Sequence, residues 1–248
     1  MCATCGCSEG AGVRVTDLRA PHHHDHDHDH HAHPGRVVTL EQNLLAGNDR
    51  LAAQNRELLA ARGIRTLNLM SSPGSGKTTL LVRTLTDLGA ELDISVVEGD
   101  QETLLDAERI GATGARVVQV NTGAGCHLDA AMMADAVTAL DPTRGSLLLV
   151  ENVGNLVCPA LFDLGESARV VVMSVAEGAD KPLKYPHMFR TADLVLINKI
   201  DLLPYVDFDV AHCVDGARRA RSGVEVIEVS ATRGDGLDDW YRWLRGLR

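Results

Sequence analysis

The chain has 248 residues, with 24 Lys and Arg against 34 Asp and Glu and a formal charge of −10. That length suits one α/β domain of roughly 200 residues plus an appendage. The acidity argues against a general nucleic-acid binder, whose affinity rests on Lys and Arg meeting phosphate. No apolar run approaches the roughly 18 residues needed to span a bilayer, so no membrane partner is expected.

The first segment, 1–36, is a Cys/His-rich arm with no amphipathic period, expected to be flexible. It lacks the apolar core of a secretory signal, which makes the cytoplasm the expected location and reduced cysteines the expected state. Cys2, Cys5 and Cys7 form a C-x-x-C-G-C cluster at its tip. Soft thiolates favour Ni, Cu(I) or Zn. Three sulfurs with the nearby α-amino group as a fourth donor would suit square-planar Ni(II). Eight histidines (His22, His23, His24, His26, His28, His30, His31 and His33) follow between Pro21 and Pro34, interleaved with Asp. Such a tract offers metal-binding capacity without a defined geometry; an expression tag is the competing explanation, and the internal position and interleaved Asp speak against it.

A helix is expected next, over 37–63. Thr39 and Gln42 have capping-box spacing, an apolar face runs from Leu40 to Leu59, and Gly63 suits the stop. From 64 to 248, short Val/Leu/Ile runs alternate with helical stretches. The runs are Thr66–Met70, Ile94–Val97, Arg116–Val120, Leu147–Val150, Val170–Val175, Leu194–Ile197 and Val224–Val229. Helices are expected at Lys77–Leu88, Thr103–Ile110, Leu128–Leu140, Asp209–Arg221 and Leu237–Leu247. This alternation specifies an α/β fold with a doubly wound, mostly parallel sheet.

The first run leads into Ser71-Ser-Pro-Gly-Ser-Gly-Lys-Thr-Thr79 and then a helix, the context of a P-loop NTPase. Gly74, Ser75 and Gly76 let backbone N–H groups surround phosphate. Lys77 reaches the terminal phosphates, Thr78 places a hydroxyl on Mg²⁺, and Thr79 is counted with them as a nucleotide-binding residue. Ser71 stands where the usual motif has its first glycine. Asn198-Lys199-Ile200-Asp201 follows the sixth run. An Asp there accepts both N1–H and N2–H of guanine, Asn198 supports the base, and the Lys199 stem lies along the ring, so GTP is the expected nucleotide. Ser230 and Ala231 match the loop that closes over guanine. Asp100 and Glu151, at the ends of the second and fourth runs, are candidates to hold Mg²⁺ and orient the attacking water; structural capping is the alternative for both. Lys181 could add charge stabilisation or be solvated surface.

Asn121-Thr-Gly-Ala-Gly-Cys126-His127 places sulfur and nitrogen ligands side by side, at an expected helix start where the dipole favours thiolate. Cys158 follows the Glu151 loop closely. Cys126, His127 and Cys158 therefore form a candidate metal site beside the nucleotide, within one chain or shared across a dimer; small buried cysteines are the competing explanation.

These stretches together resemble the HypB family, hydrogenase maturation GTPases concerned with nickel. Glu151-Asn-Val-Gly-Asn-Leu-Val-Cys-Pro159 and Asp180-Lys-Pro-Leu-Lys-Tyr-Pro-His187 carry most of the specificity, and the Ser71 and Glu151 departures are usual in that family. The resemblance implies slow hydrolysis of GTP to GDP, a homodimer linked to nucleotide or metal, and cooperation with a HypA-type nickel chaperone and a hydrogenase large-subunit precursor. It also implies tight Ni²⁺ binding at Cys2, Cys5 and Cys7 and a weaker Ni²⁺/Zn²⁺ site at Cys126, His127 and Cys158, with the His-rich segment serving storage. Two alternatives stand beside it. One is a urease-maturation GTPase, against which the Cys cluster speaks. The other is a nickel storage and detoxification protein with an incidental GTPase.

Overall fold

The computed structural model describes residues 34–101, 103–123 and 125–247. The elements, in chain order, begin with α1 (Pro34–Ala61), β1 (Arg65–Met70), α2 (Lys77–Leu88), β2 (Ile94–Asp100) and α3 (Leu105–Gly111). Next come β3 (Arg116–Asn121), α4 (Ala130–Leu140), β4 (Leu147–Glu151), α5 (Cys158–Leu161) and β5 (Ala168–Ser174). The remainder is α6 (Lys181–Lys184), α7 (Pro186–Thr191), β6 (Leu194–Asn198), a 3-10 segment (Ile200–Tyr205), α8 (Val210–Ala220), β7 (Glu225–Glu228) and α9 (Leu237–Gly246).

The seven strands make one sheet in the order β3-β2-β4-β1-β5-β6-β7, and every pairing is parallel. A parallel sheet needs helical crossovers that cover both faces, which is why β4 and β6 are buried at every residue. The edge strand β3 is only half-buried, and β7 is exposed at both ends. On one face Leu80, Leu81 and Leu85 of α2 meet Trp240 and Leu244 of α9. The Trp240 indole Nε1–H, buried there, donates to Thr84 Oγ1 at 2.9 Å, so a large apolar ring is accommodated without an orphaned donor. No helix among the described residues is long and apolar enough to cross a membrane.

The unit from Asn48 onward contains the sheet. Within it, the second half of α1 is held by two asparagines. Asn48 accepts the Ala130 N–H at 2.9 Å and donates to the Asp163 carbonyl at 2.8 Å. Asn55 donates to the carbonyls of Ala130 and Leu164, at 2.8 and 3.0 Å. Gly63 ends the helix as expected: at φ 67° its N–H reaches the Ala60 carbonyl while Ile64 N–H reaches Leu59, a left-handed closing turn that glycine accepts readily.

Several helix boundaries differ from expectation, and three short helices were not expected. Helix α1 starts at Pro34, so Thr39 and Gln42 fall inside it; a proline lacks the N–H that a first turn leaves unused anyway. Helix α4 starts at Ala130, because the Asp129 carboxylate caps it by accepting Met132 N–H at 2.8 Å. The four- to six-residue helices α5, α6 and α7 are too short to show a 3.6-residue period, and each opens on a proline at its first or second position.

Candidate functional site

The carboxyl ends of β1, β2, β4 and β6 open onto one cleft of about 480 Å³, within the size range of small-ligand sites. Pro73 to Thr79 form its floor, with Asp100, Glu151 and Lys199 on its walls. The loop after β1 owes its path to two left-handed glycines, Gly74 at φ 75° and Gly76 at φ 98°. A Cβ on Gly76 would lie 2.6 Å from Asn198 Nδ2, so the phosphate loop and the N-K-x-D loop pack in direct contact. Asn198 Nδ2 donates to the Ser75 carbonyl at 3.0 Å, and Lys199 Nζ donates to the Gly74 carbonyl at 2.7 Å.

Lys77 is buried, and burial lowers its pKa against the opposing pull of Glu151, Asp106, Glu98 and Glu177. Its Nζ donates to Ser71 Oγ at 2.7 Å. The serine at the usual first-glycine position thus anchors the lysine. Thr78 Oγ1 donates to Glu151 Oε1 at 2.8 Å. The hydroxyl and carboxylate expected near Mg²⁺ therefore adjoin, and the second Glu151 oxygen, Oε2, is buried without a partner. That orphaned oxygen beside a hydroxyl fits a hard divalent cation. Asp100 lines the cleft while its Oδ2 also caps its own turn, accepting Thr103 N–H at 3.0 Å and the Thr103 hydroxyl at 2.8 Å. Cleft wall and turn cap are both present at Asp100. Glu151 has its pKa pushed up to about 7, chiefly by burial, with Lys77 and the Thr78 hydrogen bond opposing.

The base-side residues assemble around Asn198. Its Oδ1 accepts Lys199 N–H at 2.8 Å and Ala231 N–H at 3.2 Å, and Ser230 Oγ donates to Asp201 Oδ1 at 2.6 Å. Lys199 takes a left-handed φ of 63°, uncommon for a side-chain-bearing residue, which turns the chain toward Asp201. Lys181 does not line the cleft. It pairs with Glu177 at 3.8 Å and lies 5.3 Å from the Tyr185 ring centroid.

Cys126, His127 and Cys158 come together, with one ligand atom of each lying within 4.8 Å of the others. Cys126 Sγ is 3.7 Å from His127 Nδ1. The His127 ring stacks on Phe162 at 3.9 Å between centroids, and burial lowers its pKa, which favours the neutral imidazole that metals bind. Two sulfurs and one ring nitrogen suit a borderline or soft ion. Because α4 begins only at Ala130, Cys126 lies ahead of the first turn and outside the short reach of the helix dipole. Cys2, Cys5, Cys7 and the histidines from His22 to His33 lie outside the described residues.

Four neighbours escaped the sequence reading. Glu98 is buried in the cleft wall, and burial, then Glu151, Asp100 and Asp106, push its pKa up to about 8. Two residues of strand period before Asp100, it shares that residue's face, which was the available signal. Arg109 donates to Thr79 Oγ1 at 3.3 Å. Glu177 accepts the Ser72 hydroxyl and, at 3.1 Å, Ser174 N–H, tying the phosphate loop to the end of β5. Asn152 sits between the cleft and the metal ligands.

A P-loop at the end of β1, an N-K-x-D loop packed against it and an all-parallel doubly wound sheet define a P-loop nucleotide-binding protein. Comparison narrows the class: the CobW/HypB/UreG nucleotide-binding domain matches residues 65–228. The hydrogenase maturation factor HypB of Escherichia coli K12 is 46% identical over 288 aligned residues, covering 100% of this chain and 99% of that one. That of Azotobacter vinelandii is 55% identical over 213 residues, 86% of this chain and 70% of its own. The crystal structure of HypB from Archaeoglobus fulgidus superposes with a TM-score of 0.77 at 42% identity, covering 82% of this chain and all of that one. HypB from Helicobacter pylori in complex with nickel gives 0.75 at 38%, covering 81% and 94%. The chain belongs to the HypB family of hydrogenase maturation factors.

Proposed function

We propose that the protein is a GTP-hydrolysing nickel metallochaperone that delivers Ni²⁺ during [NiFe]-hydrogenase maturation. One observation carries the reading: a two-sulfur, one-nitrogen cluster lies on loops joined by hydrogen bonds to the wall of a P-loop cleft. The solved relative in complex with nickel supports nickel as the cargo.

The residues divide the work. Backbone N–H groups of Gly74–Thr79 and the start of α2 receive the phosphates, and Lys77 leaves Ser71 to meet the terminal oxygens. Asp201 selects guanine, steadied by Ser230, while Asn198 fixes both loops. Thr78, Asp100 and Glu151 would hold Mg²⁺, which would supply charge neutralisation to the phosphates for in-line transfer to water. Glu151, with its raised pKa, is placed to orient that water. Cys126, His127 and Cys158 hold Ni²⁺ or Zn²⁺ in transit. In the arm, Cys2, Cys5 and Cys7 supply a separate nickel site and the His/Asp tract a store. The partners in this scheme are a HypA-type chaperone, a hydrogenase large-subunit precursor and a second copy of the chain, all met in the cytoplasm.

The test is genetic complementation. A deletion strain is supplied with the wild-type chain, Lys77→Ala, or the chain lacking 21–34, and hydrogenase and urease are both assayed. Loss of hydrogenase with Lys77→Ala supports the switch. Hydrogenase retained with Lys77→Ala but lost with the tract deletion assigns storage instead. Loss of urease alone assigns a urease role, a reading kept open by the Helicobacter pylori relative, a hydrogenase/urease maturation factor 38% identical over 211 residues.

A further inference from the structure

Glu98 and Glu151 are register partners on the adjacent strands β2 and β4. Register partners in a parallel pair project to the same face, so the two carboxylates stand side by side. They are 2% and 4% exposed, and both line the nucleotide cleft. Each has one oxygen, Oε2, that is buried and meets no hydrogen-bond donor. Two carboxylates abreast in a buried wall repel one another, and leaving their oxygens unpaired is costly unless a cation satisfies both. Lys77 is close enough to feel both charges, yet its hydrogen bond goes to Ser71. The hydroxyl of Thr78 occupies only the other oxygen of Glu151. Oxygen donors of this kind match Mg²⁺, which binds through one or two carboxylates, nucleotide phosphates and retained waters.

We propose that Glu98 is part of the divalent-cation site of the bound nucleotide, holding the ion directly or through one water beside Glu151. The proposal deepens the nucleotide reading above and rests on it. It has a signature in cation dependence. With the cation present, Glu98 helps hold the ion that ties the nucleotide to the cleft; with the cation removed, it has no ion to hold. Neutralising the residue must therefore weaken nucleotide retention only when the cation is present, which a merely structural role would not produce.

The experiment follows release of fluorescent mant-GDP from the full chain, in excess EDTA and across a Mg²⁺ titration, for wild type and Glu98→Gln. The variant is expected to need about tenfold or more Mg²⁺ to slow release to the same degree. In EDTA it is expected to release mant-GDP no faster than wild type. An unshifted Mg²⁺ requirement overturns the proposal, as does faster release by the same factor in both conditions. Should Glu98→Gln fail to fold, Glu98→Asp serves. One methylene shorter, it is expected to raise the Mg²⁺ requirement while leaving EDTA release unaccelerated, and an unshifted requirement again overturns the proposal. Failure of the wild-type chain to retain mant-GDP at all would overturn the nucleotide reading itself, a result distinct from any behaviour of the variants.

Discussion

Asn152 Oδ1 accepts the backbone N–H of Leu128 at 3.1 Å. Leu128 follows the ligands Cys126 and His127, and Asn152 follows Glu151, so one buried amide joins the metal loop to the cleft wall. The same side chain is engaged at both of its polar atoms: Oδ1 also accepts Val153 N–H at 3.0 Å, and Nδ2 donates to Asn68 Oδ1 at 3.1 Å. Asn155 Nδ2 adds a second tie, to the Cys126 carbonyl at 3.3 Å. In the proposed switch, movement of 151–154 on meeting a terminal phosphate would pass through these two ties to the loop that carries Cys126 and His127.

Replacing Asn152 with Ala removes the tie while leaving every phosphate-loop residue in place. The expected outcome is that nickel affinity becomes the same with GDP and with a non-hydrolysable GTP analogue, while both nucleotides still bind. Isothermal titration with nickel in each nucleotide state checks this. A variant that keeps the wild-type difference refutes Asn152 as the connection.

The base loop gives a specificity prediction. An Asp201→Asn substitution presents an amide N–H to the guanine N–H groups in place of one acceptor oxygen, and it alters the Ser230 contact of 2.6 Å. GDP affinity should fall about 10- to 100-fold, the worth of hydrogen bonds to a charged group. Xanthosine diphosphate, which carries a carbonyl where guanine has its amine, should gain affinity relative to GDP. Equilibrium competition measures both, and an unchanged preference for guanine would show that Asp201 does not meet the base.

The phosphate loop and the wall residues Asp100 and Glu151 were legible in the sequence because their signals are local. Glycines at fixed spacing, a lysine next to threonine and continuous Val/Leu/Ile runs all survive within a dozen residues. What escaped depends on distant partners. Glu177 meets Ser72 across 105 positions, Asn152 meets Leu128 across 24, and Asn55 of α1 reaches Leu164 across 109. Glu98 was within reach through its two-residue spacing from Asp100, but nothing local shows that Glu151 is its register partner. The meeting of Cys126, His127 and Cys158 was legible because both segments leave strands at one sheet edge. The position of Cys126 ahead of the helix was not, since it depends on which residue caps α4.

Metal-site substitutions should separate from nucleotide effects. Cys126→Ser or Cys158→Ser should lower nickel stoichiometry by about one ion per chain, or per dimer if the site is shared, because three protein donors are the minimum the cluster offers. The thiolate-to-metal charge-transfer absorption attributable to this site should vanish with it. GDP affinity measured in the same preparations should stay near the wild-type value. Retained absorption in both variants would move the nickel elsewhere.

Stability in EDTA should depend on pH through Glu98. Its ordinary pKa of 4.5 rises to about 8 in the folded chain, chiefly from burial. A raised carboxyl pKa means the folded state holds its proton more tightly than the unfolded state. The associated stability is complete below about 4.5 and is lost as pH climbs toward about 8. Glutamine does not titrate, so the melting temperature of Glu98→Gln relative to wild type should rise across that window and level off above it. Thermal scans from acid to mildly alkaline pH test this, and a difference independent of pH would contradict it.

The central claim is that nucleotide state sets nickel affinity at Cys126, His127 and Cys158, and such control exists only if the two states bind nickel differently. The direct measurement is a nickel titration with GDP and with a non-hydrolysable GTP analogue, on the intact chain and on one lacking residues 1–33. A difference of about fivefold or more between nucleotides, present in both chains, is the predicted result. Equal affinities in the chain lacking the arm would contradict the account.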